Sequence, residues 1–149
     1  MAFTIAVLVG NSGIGEGNQT DMGELVKREE LKFRFKGFKI YQNSKEFCKF
    51  CRLLVQDHIK NKDRDLASQI ERALHSIVLN IAEGSADQSD AEFSRFLGIS
   101  IRSVYEIVAA FDLALLYGMI STEQNEEIES RAHDLVKQLA AFRNSLRKA

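Results

Sequence analysis

The stretch from Ser121 to Lys148, STEQNEEIESRAHDLVKQLAAFRNSLRK, places Ile128, Ala132, Leu135, Leu139, Phe142 and Leu146 at alternating steps of four and three residues. That spacing holds one apolar stripe on one side of a helix and is the seam by which helices pack in bundles. Ser121 and Gln124 stand in capping-box positions, where each side chain satisfies a backbone amide left free at a helix start. Acidic residues gather from Glu123 to Glu129 and basic ones from Arg143 to Lys148, so both ends complement the helix macrodipole.

Working backward, Ser89 and Glu92 repeat the capping pattern and open a third helix with a core stripe of Phe93, Phe96, Leu97, Val104, Ile107, Val108, Phe111 and Leu115. Gly118, within YGM at Tyr117 to Met119, supplies its exit. A second helix is predicted from about Arg64 to Ala82, with Leu66, Ile70, Ala73, Leu74, Ile77 and Ile81 inward and Gly84 as its stop. A first runs from about Phe38 to His58 on Ile40, Phe47, Cys51 and Leu54, widened by Phe50 and Val55, and the polar KNKD follows it. Four helices on short polar links predict an all-α, antiparallel, up-down-up-down four-helix bundle. The 149 residues suit one domain, and the absence of proline removes the commonest helix breaker.

The chain before the bundle reads differently. Ala2 to Val9 is apolar but lacks a basic leader and is too short to span a bilayer, so neither secretion nor membrane insertion is expected. Gly10, Gly13, Gly15 and Gly17 follow, but Gly17 precedes Asn18, Gln19 and Thr20 where a phosphate loop needs lysine and a hydroxyl residue. Residues 1–32 are accordingly expected to be a flexible extension, with Met22 an alternative start, and residues 33–149 the bundle.

The net charge of −1 conceals an asymmetry. From Lys27 to Lys62 there are eleven basic and four acidic residues, a balance of +7, against nine and seventeen elsewhere, a balance of −8. Lys32, Arg34, Lys36, Lys39, Lys45, Lys49 and Arg52 are therefore candidate RNA-phosphate contacts, interleaved with Phe33, Phe35, Phe38 and Tyr41. The same residues equally describe a solvated helix face with aromatics packed in a bundle or subunit interface. Cys48 and Cys51 form a lone C-x-x-C pair without the strand context of a redox motif or two further zinc ligands, and are expected as free structural thiols of a reducing cytoplasm. No metal or cofactor is expected. Arg52 and His58 have the R-x5-H spacing of HEPN endoribonucleases, yet six helical steps separate them by about 120° around the axis.

LASQIERALHSIVLNIAEGS, Leu66 to Ser85, followed by SDAEFSRFLGISIRSVYE, Ser89 to Glu106, carries Asn-Ile-Ala-Glu-Gly and then Glu-Phe-x-x-Phe-Leu. In these motifs the chain, from Phe38 to about Ser121, resembles the S23-like four-helix bundles encoded in intervening sequences of bacterial 23S ribosomal RNA. Val78 stands where relatives typically place proline, and Arg102 where glycine is usual. The family is also similar to the accessory variability protein of diversity-generating retroelements, a pentamer that associates with reverse transcriptase and RNA. The resemblance implies a homo-oligomer, with a pentamer favoured, and a nonenzymatic scaffold joined to RNA or a ribonucleoprotein. A protein-only adaptor is the alternative, with a HEPN-like endoribonuclease using Arg52 and His58 behind it. It also carries over Asn80, Glu83, Gly84 and Glu106 as structural positions, the polar ones tying helix ends or pairing with Arg72, Arg95 or Arg102.

Overall fold

The computed structural model describes residues 31–86 and 89–148, with side chains from Phe33 onward. Of the extension expected over residues 1–32, residues 1–30 lie outside the described residues, as do the side chains of Leu31 and Lys32. A 3₁₀ segment, Leu31–Gly37, is kinked at Phe33 and leads into four helices: α1 Lys39–Leu54, α2 Arg64–Ser85, α3 Asp90–Leu116 and α4 Thr122–Arg147. Each packs on its neighbours in the cyclic order α1, α2, α3, α4, forming the expected four-helix bundle. No strand occurs among the described residues.

The helix ends follow local chemistry. Ser121 and Gln124 form the full capping box. At Ser89 the hydroxyl accepts from the Glu92 amide at 3.3 Å, while the Glu92 carboxylate turns to Arg95 Nε at 3.0 Å. Asp63 caps α2 by accepting from the Leu66 amide at 2.9 Å. Gly118, at φ +72°, ends α3: its amide donates to Leu115 and that of Met119 to Ala114, a Schellman motif.

Two departures from sequence expectation have physical causes. The first helix continues past α1 as one π turn, Val55–Ile59, in which the Lys60 amide reaches the Val55 carbonyl at 2.9 Å. Ordinary α geometry rotates residues four apart by about 40°, and the wider turn offsets that drift. Cys51, Val55 and Ile59 all stay fully buried. Second, Gly84 does not stop α2, which runs on through Ser85. A Cβ at Gly84 would lie 2.6 Å from Phe96 Cβ and 2.8 Å from Phe93 Cδ2, so this glycine admits α3 against α2. The same helix pair is drawn together by Ser100 donating to the Ile77 carbonyl at 2.9 Å and Ser103 to Ser76 Oγ at 2.8 Å.

Among the described residues, large side chains including Phe93, Phe111, Ile70, Ile77, Leu97, Ile107, Ile128 and Leu139 are sealed in the core. Leu66, Phe96, Val108 and Leu115, all expected inside, are only half-buried because they flank the grooves between helices. Where α1 and α3 begin and α4 ends, Phe38, Phe93 and Phe142 close the bundle with ring centroids 5.3–6.0 Å apart.

Candidate nucleic-acid interface

The basic run does not become one surface. On α1, Lys45, Lys49 and Arg52 are exposed, and at about 100° per residue they share a sector about 60° wide. Lys39 is exposed about 80° away from Lys49 around the same axis. Lys36 Nζ lies 5.7 Å from the Phe33 ring centroid, outside the helix. Arg34 donates from Nε to the Ser85 carbonyl at 2.8 Å and its guanidinium lies 5.6 Å from the Phe93 centroid. It thus satisfies a terminal carbonyl of α2, which has no basic residue in its last turn.

The α1 stripe borders a groove of ≈ 500 Å³ against α2, whose lining includes Lys49, Arg52, Leu53, Gln56, Glu71 and His75. Glu71 lies 3.8 Å from Arg52 Nε, a loose contact between partly solvated groups that leaves the guanidinium accessible. Lys45 Nζ sits 4.9 Å from the Tyr41 centroid, so this lysine and ring form one amphipathic unit. Gln56 and His75 were not singled out in the sequence; His75 reaches the groove from α2, and only the tertiary pairing of the helices reveals it.

The interleaved aromatics divide. Phe38 belongs to the bundle closure, at 5.3 Å from Phe142, which removes it from any base-stacking role. Phe33 is exposed, and Phe35 packs edge-on to Tyr41 at 4.9 Å. Tyr41 is itself half-buried against the core, so of these three rings Phe33 is the exposed one.

The C-x-x-C pair is structural. Cys48 Sγ donates to the Leu74 carbonyl at 3.2 Å, and burial pushes its thiol up to about 12. Burial likewise raises Cys51, reinforced by Cys48 and opposed by Arg131. Both thiols are free and protonated, the inverse of a reactive thiolate. Among the described residues no His, Cys, Asp and Glu cluster is placed to hold a metal. Arg52 and His58 face different neighbours, Glu71 for the former and Gln124, at 3.1 Å from His58 Nε2, for the latter.

The polar signature positions also separate. Asn80 donates to the Ser76 carbonyl and hydroxyl within its own helix, at 2.8 and 3.0 Å. Glu83 is exposed. Glu106 does link helices, but it accepts from Gln69 at 2.9 Å rather than pairing with an arginine, because Gln69 is the α2 residue that faces it. Gly84 contributes by its missing side chain, as described above.

Residues 36–141 match the family described as 23S rRNA-intervening sequence proteins. A solved structure of a protein with unknown function from the S23 ribosomal protein family of Bacteroides thetaiotaomicron VPI-5482 is 25% identical, with a TM-score of 0.61 over 69% of this chain and 96% of that one. Among curated proteins, none matches the chain.

Proposed function

The chain belongs to the 23S rRNA-intervening sequence protein family, and from that premise we propose that it is a nonenzymatic, homo-oligomeric scaffold that associates with RNA or with a ribonucleoprotein such as a reverse transcriptase complex. The observation that carries the proposal is the exposed Lys45–Lys49–Arg52 sector of α1 beside a groove open to solvent. Cations aligned along one helix contact successive phosphates without reading bases, and the binding they give is strongly salt-dependent. Oligomerisation draws on another face. Tyr105 and Leu116 of α3 are 66% and 75% exposed, with Leu113 and Tyr117 exposed nearby, an apolar patch that a second copy would cover. Pentameric assembly remains the favoured stoichiometry. The free Cys48 and Cys51 thiols accord with action in a reducing cytoplasm.

The same patch favours a second reading, a protein-only adaptor whose basic sector is merely solvated. Purifying the full chain from cells at low salt, sequencing retained RNA and weighing the particle by native mass spectrometry separates the two. The scaffold predicts enriched RNA on a homo-oligomer. A monomer from micromolar to high-micromolar concentration with no enriched RNA contradicts it, and partners retained after nuclease treatment favour the adaptor.

A further inference from the structure

On the opposite side of the bundle, the groove between α3 and α4 opens near the start of α3 into a cleft of ≈ 400 Å³. Four arginines line it, Arg95 and Arg102 from α3 and Arg143 and Arg147 from α4, together with Ser94 and Gly98. Among the described residues no carboxylate lines it. Glu92, on the rim, is paired with Arg95 Nε at 3.0 Å.

The arginines are not equally engaged. Arg95 also covers the Phe96 ring at 4.6 Å, and Arg147 Nε donates to Ser94 Oγ at 3.1 Å. Arg102 is exposed and makes no hydrogen bond or ion pair with the described residues. Arg143 Nε is buried and finds no acceptor among the described residues. A Cβ at Gly98 would stand 3.3 Å from Arg143 Nη1, tighter than ordinary contact, so the glycine lets this guanidinium lie against α3.

Four guanidiniums facing one engaged carboxylate repel one another until an anion enters. A carboxylate ligand offers two oxygens and a single charge. A phosphate group offers more oxygens and up to two charges, matching the planar N–H forks of several arginines at once. We propose that this cleft binds a phosphate group, with Arg102 and Arg143 as its direct donors and Arg95 and Arg147 held alongside by Glu92, Phe96 and Ser94. The site is separate from the α1 sector and does not depend on RNA binding there. Its phosphate comes either from an RNA backbone or from a small phosphorylated molecule.

The test uses the full chain with inorganic phosphate, pyrophosphate and a single-stranded RNA oligonucleotide as probes, followed by calorimetry and by the arginine Nε–H signals in nitrogen-15 NMR. Pyrophosphate is expected to bind more tightly than phosphate and to shift the Arg143 signal. Each lost charge-assisted contact weakens binding by about tenfold or more, so Arg102→Gln/Arg143→Gln should nearly abolish it while Lys45→Gln/Lys49→Gln leaves it unchanged. Competition by RNA in the wild type assigns the site to a backbone phosphate, and its absence to a small ligand. If the double variant fails to fold, Arg102→Gln alone, which removes no hydrogen bond or ion pair among the described residues, must still weaken binding by about tenfold. Absence of pyrophosphate binding, or equal binding by the arginine variants, overturns the site. RNA binding lost only in the lysine variant would then leave the α1 interface standing without it.

Discussion

The two basic regions of the bundle arise in opposite ways. The α1 sector comes from a run of cations within one helix, and folding thins it: Lys45, Lys49 and Arg52 share a face, Lys39 lies off it, and Arg34 is bound to the end of α2. The α3–α4 cleft comes from Arg95, Arg102, Arg143 and Arg147, scattered through the part of the chain whose overall balance is acidic. There folding concentrates charge. A charge run reports what a helix can display, whereas a pocket of charge depends on which helices pack together.

Because both regions depend on the bundle, the largest perturbation is one that breaks it. Leu139 is fully buried in α4, one helical turn before Arg143. Leu139→Asp removes that packing and buries an unpaired charge, at a cost of about 4 kcal/mol. Thermal denaturation should show collapse of the transition, and sedimentation loss of the proposed oligomer; unchanged melting would refute the α4 seam.

Gly84→Ala is a smaller, one-sided strain. The new methyl meets Phe93 and Phe96, which belong to the α3 segment beneath the arginine cleft, and forcing the helices apart costs about 1–3 kcal/mol. Denaturant titration should find that loss. The cleft's pyrophosphate affinity should fall further than RNA binding by the α1 sector, and equal losses would mean that the two regions are mechanically coupled.

The thiols sharpen the α1 side with a lesser effect. Cys48 donates to the Leu74 carbonyl of α2 beside Lys49, and its thiol is raised to about 12 from an ordinary value of 9.0 because burial disfavours the thiolate. Between those values the unfolded chain releases the thiol proton while the folded chain keeps it, so the unfolded state binds fewer protons and stability falls as pH rises from about 9 to about 12. Alkaline melts should show that decline, reduced in Cys48→Ala. Iodoacetamide at pH 8 should label the native thiols far more slowly than the unfolded ones, and rapid native labelling would mean that the basic face reaches the sulfur.

Much of the fold was legible in sequence because its determinants are local. The capping serines, the Gly118 exit and the three-and-four spacing of α4 concern residues within a turn or two of one another. What escaped is relational. Gly84 resembles a helix stop until Phe93 and Phe96 arrive against it, and Ser76, Ser100 and Ser103 look like surface residues until α2 and α3 approach. The candidate site divides along the same line: α1 was foreseen as a basic helix, but neither the removal of Arg34 and Phe38 to packing roles nor the cleft around Arg143 leaves a trace in local composition.

The scaffold's central requirement is that the α1 sector touches RNA phosphates, and the salt dependence of RNA affinity tests it most directly. The full chain and Lys45→Gln/Lys49→Gln/Arg52→Gln should be titrated with single-stranded RNA at several salt concentrations, with helicity checked by circular dichroism. Each phosphate contact on a single strand contributes a slope of about 0.7 in log affinity against log salt, so the variant should bind more weakly and with a slope shallower by about 2. Identical slopes and affinities, or no RNA binding by the wild type at low salt, would contradict the account.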